Sequence, residues 1–420
     1  MDMPSVDVDS LKRSIHRLEF SHGGKALLND FFTELEEVRQ GERTRIRILH
    51  YGDSQIENDR MTALIRFRLQ QHFGGYGCGL VPAVPLYSGN PAYTEEVSGD
   101  FRRYTAFGKK DSSLNHNSYG VLGCVTSIPH GEWEKLPVLD FHFRTSRLAG
   151  QFDRIKLFIH SYADSSSIQF RVNERDVDTL RNIEAGYSLI SYQPDTVVSR
   201  LSLAFDFLEG GRIYGLSFES EGGLQVDNIA MRGSSGLIFS RMDREVFEEM
   251  YDHLRVGLMI LQFGGNIVPY IKDPDFYYRR FKRELTYLKE VCQGVPIVVI
   301  GPSDMASREK GYFVTHPSLE GVRDALRRAT LESGFIFWDM YEAMGGRNSI
   351  ASFVHSDPPL ARPDYVHFSI RGANLLAEMF YNALMLEFRE FKEHTDRTSF
   401  EDKEERIDQT IVQAPSLLQI

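Results

Sequence analysis

Cysteine is scarce in this chain: three residues in 420, at Cys78, Cys124 and Cys292. Three cannot build a disulfide framework, and their spacing matches no metal site. Missing too is any apolar run of the ~18 residues that a membrane-crossing helix needs. The longest runs, Val256–Phe263 and Val295–Ile300, are strand-sized. There is no surplus of positive charge either. Lys and Arg number 48 against 59 Asp and Glu, a formal net charge of −11. Phosphate neutralisation needs surplus cations, so general nucleic-acid binding is disfavoured, as is long-range attraction to anionic lipid. Residues 1–10 are acidic and polar, without the pattern of a signal peptide. No internal repeat and no low-complexity tract is found.

What remains is globular. Apolar residues make up 42% and aromatic residues 12%, which excludes a disordered, collagenous or coiled-coil chain. Single cores stop growing near ~250–300 residues, so a chain of this length is expected to hold two domains.

Three textures follow one another. Residues 11–40 carry helical apolar spacing, interrupted at Ser21–Gly24. Arg45–Tyr51 reads as a strand, Gly52-Asp53-Ser54 as a turn, and Met61, Leu64, Ile65 and Leu69 as a helix capped by Asn58 or Asp59. That is the start of an α/β unit. From about Glu95 to Glu221 short alternating runs take over, such as Val138–Phe143 and Leu201–Phe207, with Gly, Asn, Asp and Ser between them. This predicts an antiparallel β-sandwich. Beyond residue 225 buried-strand patterns (256–263, 295–300, 335–338) alternate with helices (275–292, 319–333, 370–393), as in a parallel sheet covered on both faces. The expected division is an α/β domain in two pieces, 1–94 and 226–393, an inserted β domain at 95–225, and a charged, frayed tail at 394–420.

Four short motifs fall at expected strand ends. Ser54 ends a strand and opens a helix, where α/β sheets place their ligands. Its Oγ can be a nucleophile, and its N–H sits near a helix N-terminus that favours negative charge. Asp364-Tyr-Val-His367 has the spacing for a carboxylate to orient an imidazole. In Gly264-Gly265-Asn266 the side-chain amide of Asn266 can point into the same crevice. Gly233, in Met231–Gly236, can offer an open backbone N–H. Taken alone, the serine turn and the Asp-x-x-His string read more readily as helix caps, and each glycine segment as a simple turn; their joint order carries the signal.

In that order the chain resembles the SGNH (GDSL-type) hydrolase superfamily. Tyr51-Gly-Asp-Ser-Gln55 matches its first block, Gly233 its second, Gly264-Gly265-Asn266 its third and Asp364–His367 its fifth. Gln55 replaces the usual Leu, and Ile267 stands where many members have Asp. The longer string Leu49–Ile56, with Arg60-Met-Thr62 and Phe73–Pro82, is similar to the branch containing bacterial peptidoglycan O-acetylesterases, whose members carry a carbohydrate-module-like β insertion after the first block.

The resemblance implies a three-layer α/β/α, flavodoxin-like parallel sheet with an inserted β-sandwich. It implies a serine esterase with Ser54, His367 and Asp364 as triad, and the Ser54 N–H, the Gly233 N–H and the Asn266 amide as oxyanion hole. Asp53, Gln55 and Gly265 are weaker substrate-contact candidates. Neither metal nor organic cofactor is called for. The substrate is expected to be an acetylated glycan or small ester. The oligomeric state stays open. An O-acetyltransferase using the same residues, or a non-catalytic glycan-binding protein, are the alternatives. The implied site of action is the cell envelope or periplasm, with the cytoplasm as the other reading; on the former, a targeting or anchoring segment has been lost from this chain. Activity is expected to rise with pH as His367 becomes neutral.

Overall fold

The computed structural model describes residues 10–412, except 12, 13, 110, 112, 113, 115 and 132, with side chains to residue 397. The chain opens with a two-residue strand β1 (Glu19–Phe20), helix α1 (Gly24–Gln40), strand β2 (Arg45–Gly52) and helix α2 (Thr62–Phe73). The helix expected before the break at Ser21 is not formed across 14–20. Glu19–Phe20 instead pairs antiparallel with Ile336–Phe337, and Leu18 is buried in the core.

The next stretch is all β: β3 (Gly79–Val81), β4 (Tyr93–Ser98), β5 (Arg102–Thr105), β6 (Cys124–Ile128), β7 (Val138–Phe143), β8 (Arg154–Ser161), β9 (Ser166–Val172), β10 (Arg175–Ile183), β11 (Gly186–Tyr192), β12 (Arg200–Asp206) and β13 (Gly211–Glu219). They form two antiparallel sheets, ordered β10-β9-β12-β7-β4 and β11-β8-β13-β6-β5, with β3 also on β13. Alternate residues of both sheets, such as Phe141, Leu203, Leu157 and Phe218, share one apolar core. The antiparallel pairing therefore begins earlier than residue 95, at Gly79. Its first strand was hidden because it is three residues long and glycine-flanked. A Cβ on Gly77 would lie 2.3 Å from the Phe218 carbonyl oxygen, and one on Gly79 would lie 2.0 Å from Asp227 Oδ1. Only glycine lets the chain approach so closely.

The chain then returns through β14 (Gly223–Ala230), α3 (Arg244–Asp252), β15 (Val256–Gln262), α4 (Pro274–Val291), β16 (Ile297–Ile300), a hairpin β17 (Ala306–Glu309) and β18 (Tyr312–Thr315), α5 (Leu319–Glu332), β19 (Ile336–Trp338), short helices α6 (Met340–Ala343) and α7 (Ser349–His355), and α8 (Ile370–Val412). The chain rejoins the parallel sheet at residue 223, three before the expected 226. α8 runs through 394–412, where a frayed tail was expected, while 413–420 lie outside the described residues. Among the described residues no helix is long and apolar enough to cross a membrane.

The second sheet type is ordered β1-β19-β16-β15-β2-β14, parallel except at β1. Taken in chain order, its five parallel strands lie 2-1-3-4-5, the doubly wound arrangement whose switch point falls between the first and third. Alternation sends Ile48, Ile260 and Val298 to one face, against α1, α2 and α8. It sends Leu49, Met259 and Val299 to the other, against α3, α4 and α5. These strands read as continuous apolar runs because both faces are covered.

A buried charge cluster joins the two domains. Arg47 of β2 donates to both oxygens of Asp227 on β14, at 2.7 and 2.8 Å, and to Glu219 on β13. Lys156 of β8 approaches Glu219 at 2.7 Å, and Leu80 N–H of β3 donates to Asp227 at 2.8 Å. Burial alone would push Glu219 up; the Arg47 and Lys156 charges reverse this and hold it at about 2. Replacing Arg47 with Met leaves buried Asp227 without a cationic partner and takes one of three cations from buried Glu219. It should cost about 3–5 kcal/mol in urea unfolding; a loss below 1 kcal/mol would show that the cluster is not a joint.

Candidate active site

Three strand ends meet at the switch point. Gly52 at the end of β2 pairs with Gln262 of β15 on one side and Ala230 of β14 on the other. The Asp53 N–H donates to the Gln262 carbonyl (3.2 Å), and the Met231 N–H to the Gly52 carbonyl (2.7 Å). A Cβ at Gly52 would lie 2.9 Å from Ile56 Cδ1 and 3.2 Å from the Gln262 oxygen, so a larger residue would press on Ile56 and on β15. Ser54 follows immediately, at the carboxyl edge of the sheet.

The histidine comes from the far end of the chain. The segment before α8 is closed by an isolated bridge between Ala361 and Phe368 and by the Arg362 N–H to His367 carbonyl bond at 2.8 Å. Asp364 Oδ1 accepts the N–H groups of Val366 (3.0 Å) and His367 (2.9 Å). Its Oδ2 lies 2.9 Å from His367 Nδ1. The other ring nitrogen, Nε2, lies 2.9 Å from Ser54 Oγ. Burial would raise the Asp364 carboxyl; those two N–H groups and the imidazole outweigh it, and the group sits below its ordinary value. Asp364 is thus both cap and orienting carboxylate. A Ser-His-Asp relay of this geometry can transfer an acyl group.

Gln55 lines the crevice, and its side chain is held by bonds within the protein. Its amide donates to the Val366 carbonyl at 2.7 Å and to Ser303 Oγ at 3.4 Å, while its Oε1 accepts from the Phe368 N–H at 3.5 Å. It brackets His367 from both sides and ties the histidine loop to the serine turn. The Leu usual in the resembled family could make none of these bonds.

Asp53 borders the same crevice and is likewise bonded within the protein. It is buried, with Oδ1 accepting from Gln55 N–H (3.0 Å) and Oδ2 from Asn266 Nδ2 (3.0 Å). Burial raises its carboxyl to about 6 against these donors. Asn266 departs from its expected role for the same reason. Its Nδ2 also donates to the Ser234 carbonyl at 3.1 Å, so both amide hydrogens are engaged. Here Asn266 ties the serine turn to the 231–236 loop and is not a free oxyanion donor. Among the described residues no partner takes the N–H of Ser54 or of Gly233. Gly233 has φ +78 and open space where a Cβ would stand. Gly265 lines the crevice, but its missing Cβ would make only an ordinary 3.7 Å contact with Asp53.

The crevice holds about 140 Å³, between Ser54, His367, Asn266, Pro269, Tyr270 and Pro302. His50 and His355 stay outside it. His50 is buried between Gln262 and Thr62, and burial lowers it to about 4; His355 bonds the Tyr365 hydroxyl. Behind Ser54 the expected Asn58/Asp59 cap is replaced by a strained turn. Asn58, Asp59 and Met61 all have φ near +60 (58, 62 and 58), each costing about 1–3 kcal/mol. Asp59 is spent on Arg66 (2.5 and 3.0 Å) and cannot cap the helix.

With this geometry in view, comparison with known proteins adds a fold. No family model matches the chain, and no curated protein matches it. A solved structure of a peptidoglycan O-acetylesterase superposes with a TM-score of 0.72 at 20% identity, over 89% of this chain and 99% of that one. The chain has that esterase's fold. A family two carbohydrate esterase from Clostridium thermocellum, in complex with cellohexaose, matches over 69% of this chain and all (100%) of its own, at 12% identity and a TM-score of only 0.27. That is too loose to bear on the site.

Two outcomes follow. Gln55→Leu removes the tie to the histidine loop, so kcat for an ester substrate should fall roughly ten- to a hundredfold, about 1.4 kcal/mol per tenfold, with little change in melting temperature. Unchanged kcat would release Gln55 from this role. Second, Asp53 is raised above the ordinary carboxylate value. Its native form keeps a proton that the unfolded chain has lost, so it costs stability as pH climbs from about 4 to 6 and no more beyond. Relative to Asp53→Asn, the wild type should lose about 2–3 kcal/mol between pH 4 and pH 7.5 in urea titrations, at 1.36 kcal/mol per unit. A pH-independent difference would contradict the assignment.

Proposed function

We propose that this protein is a serine esterase of the SGNH hydrolase type that removes O-acetyl groups from a carbohydrate, with peptidoglycan as the leading substrate. The observation that carries this reading is the unbroken chain Ser54 Oγ, His367 Nε2, His367 Nδ1 and Asp364 Oδ2, with 2.9 Å at each hydrogen bond. The shared fold supports the carbohydrate ester. The two antiparallel sheets are then a sandwich module that presents the glycan, and the site of action is the cell envelope.

In this mechanism His367 Nε2 takes the Ser54 proton as Oγ attacks the ester carbonyl. The oxyanion is met by the Ser54 and Gly233 N–H groups. Asn266 holds those two turns together. The imidazolium, stabilised by ionised Asp364, returns its proton to the departing sugar oxygen and leaves acetyl-Ser54. Water then gives a proton to His367 as it attacks the acyl carbon, and acetate departs with Oγ reprotonated. The small crevice suits a short acyl group. His367 and Asp364 are 31% and 45% exposed. Water therefore reaches the base directly, which favours hydrolysis over transfer to a second sugar.

The test is release of nitrophenol from p-nitrophenyl acetate and of acetate from O-acetylated peptidoglycan. Ser54→Ala should lower kcat/KM on the order of 10⁴-fold or more. Equal rates in wild type and variant would end the esterase reading. Acetylated glycan accumulating from an acetyl donor would replace it with a transferase.

A further inference from the structure

The crevice at Ser54 accepts an acetyl group but is too small for the sugar that bears it. A second cavity, of about 510 Å³, opens between the two domains. That volume lies within the ~300–1,000 Å³ of small-molecule sites. Asn58 and Asn228 of the α/β domain meet Tyr87, Asn90, Tyr93 and Glu95 across it.

Three features join this cavity to the reacting centre. The Tyr87 hydroxyl accepts the Arg232 N–H at 2.8 Å, one residue before Gly233. The Arg232 guanidinium lies over the Tyr87 ring, 4.6 Å from its centroid, and pairs with Glu57, next to Asn58. The strained turn, which begins at Asn58, four residues beyond Ser54, places exposed Asn58 on the cavity wall.

The chemistry of the wall selects among ligands. Arg66 is matched by Asp59 and Arg232 by Glu57, so no spare cation is offered to a phosphate or carboxylate. Amide groups and a tyrosine ring remain. Both carboxyl oxygens of Glu95 are buried without a partner among the described residues. Burial raises that group to about 9, so it is neutral at pH 7 and can both donate and accept. An unpartnered buried polar group is costly unless a ligand uses it.

We propose that this interdomain cavity is a saccharide subsite that holds one uncharged pyranose unit of the acylated glycan beside the Gly233 loop. The proposal rests on the esterase reading for the glycan's role and extends it to where the sugar binds. Tyr87 stacks on the ring and senses its presence next to the oxyanion loop, while Asn58, Asn90 and Glu95 exchange hydrogen bonds with its hydroxyls.

The experiment uses the full chain carrying Ser54→Ala, so that binding is read without turnover. It is titrated calorimetrically with neutral β-1,4-linked tetramers of N-acetylglucosamine, glucose and xylose. At least one should bind saturably. Adding Thr94→Trp, at an exposed β4 position on the cavity wall, should weaken binding at least tenfold with an unchanged melting temperature. Glu95→Leu should weaken it similarly and raise the melting temperature, because it removes an unsatisfied group. No saturable binding of any tetramer, or undiminished affinity in the folded Thr94→Trp protein, would overturn the subsite. Failure of the esterase reading would show separately, as nitrophenyl acetate hydrolysis that does not need Ser54.

Discussion

Gly52 lies between two parallel partners, Ala230 and Gln262. That register is the constraint on which the site depends. It brings three turns to one edge of the sheet: the serine turn, the 231–236 loop and the 264–266 turn. A slip of one residue on either side would invert side-chain alternation and send Ser54 into the core. The apolar alternation that builds the two helix layers therefore also fixes the position of the nucleophile. The polar bonds around Ser54 refine a placement already set by burial. Asp53 ties Gln55 to Asn266, and Asn266 ties both to Ser234.

The inserted β domain is tied into the same register. Arg47 and Asp227 sit on paired strands of the parallel sheet, and Glu219 sits on the last strand of the insertion. The chain thus leaves the α/β domain after α2 and returns through β14, the strand that carries the loop of Gly233. The insertion is mechanically next to the loop of Gly233, and the strained Asn58–Met61 turn lies at the same junction.

Much of this was legible in the chain. Apolar runs such as Val256–Phe263 and alternating ones such as Val138–Phe143 mark strands because burial on two faces or one leaves different patterns. Ser54, Asp364 and His367, singled out in the chain by short motifs, come within hydrogen-bond distance in the order Ser54, His367, Asp364, the first from a strand end and the other two from the loop before α8. Short or half-polar elements were not legible: β3 has three residues, β14 carries Gln225, Asp227 and Asn228 into a buried sheet, and β10 faces solvent for most of its length. Asn266 was read as an oxyanion donor because nothing in the sequence says that Asp53 and Ser234 compete for its amide. Gln55 was read as a departure from a pattern; only the fold sets it against the carbonyl of Val366.

The central claim is that His367 makes Ser54 a nucleophile. The most direct measurement is the intact mass of the protein after exposure to diisopropyl fluorophosphate, with the adduct mapped by peptide fragmentation. One phosphoryl adduct on Ser54, formed at least a hundredfold more slowly in His367→Ala, is the predicted result. An adduct on another serine, or equal labelling of the two proteins, would contradict it.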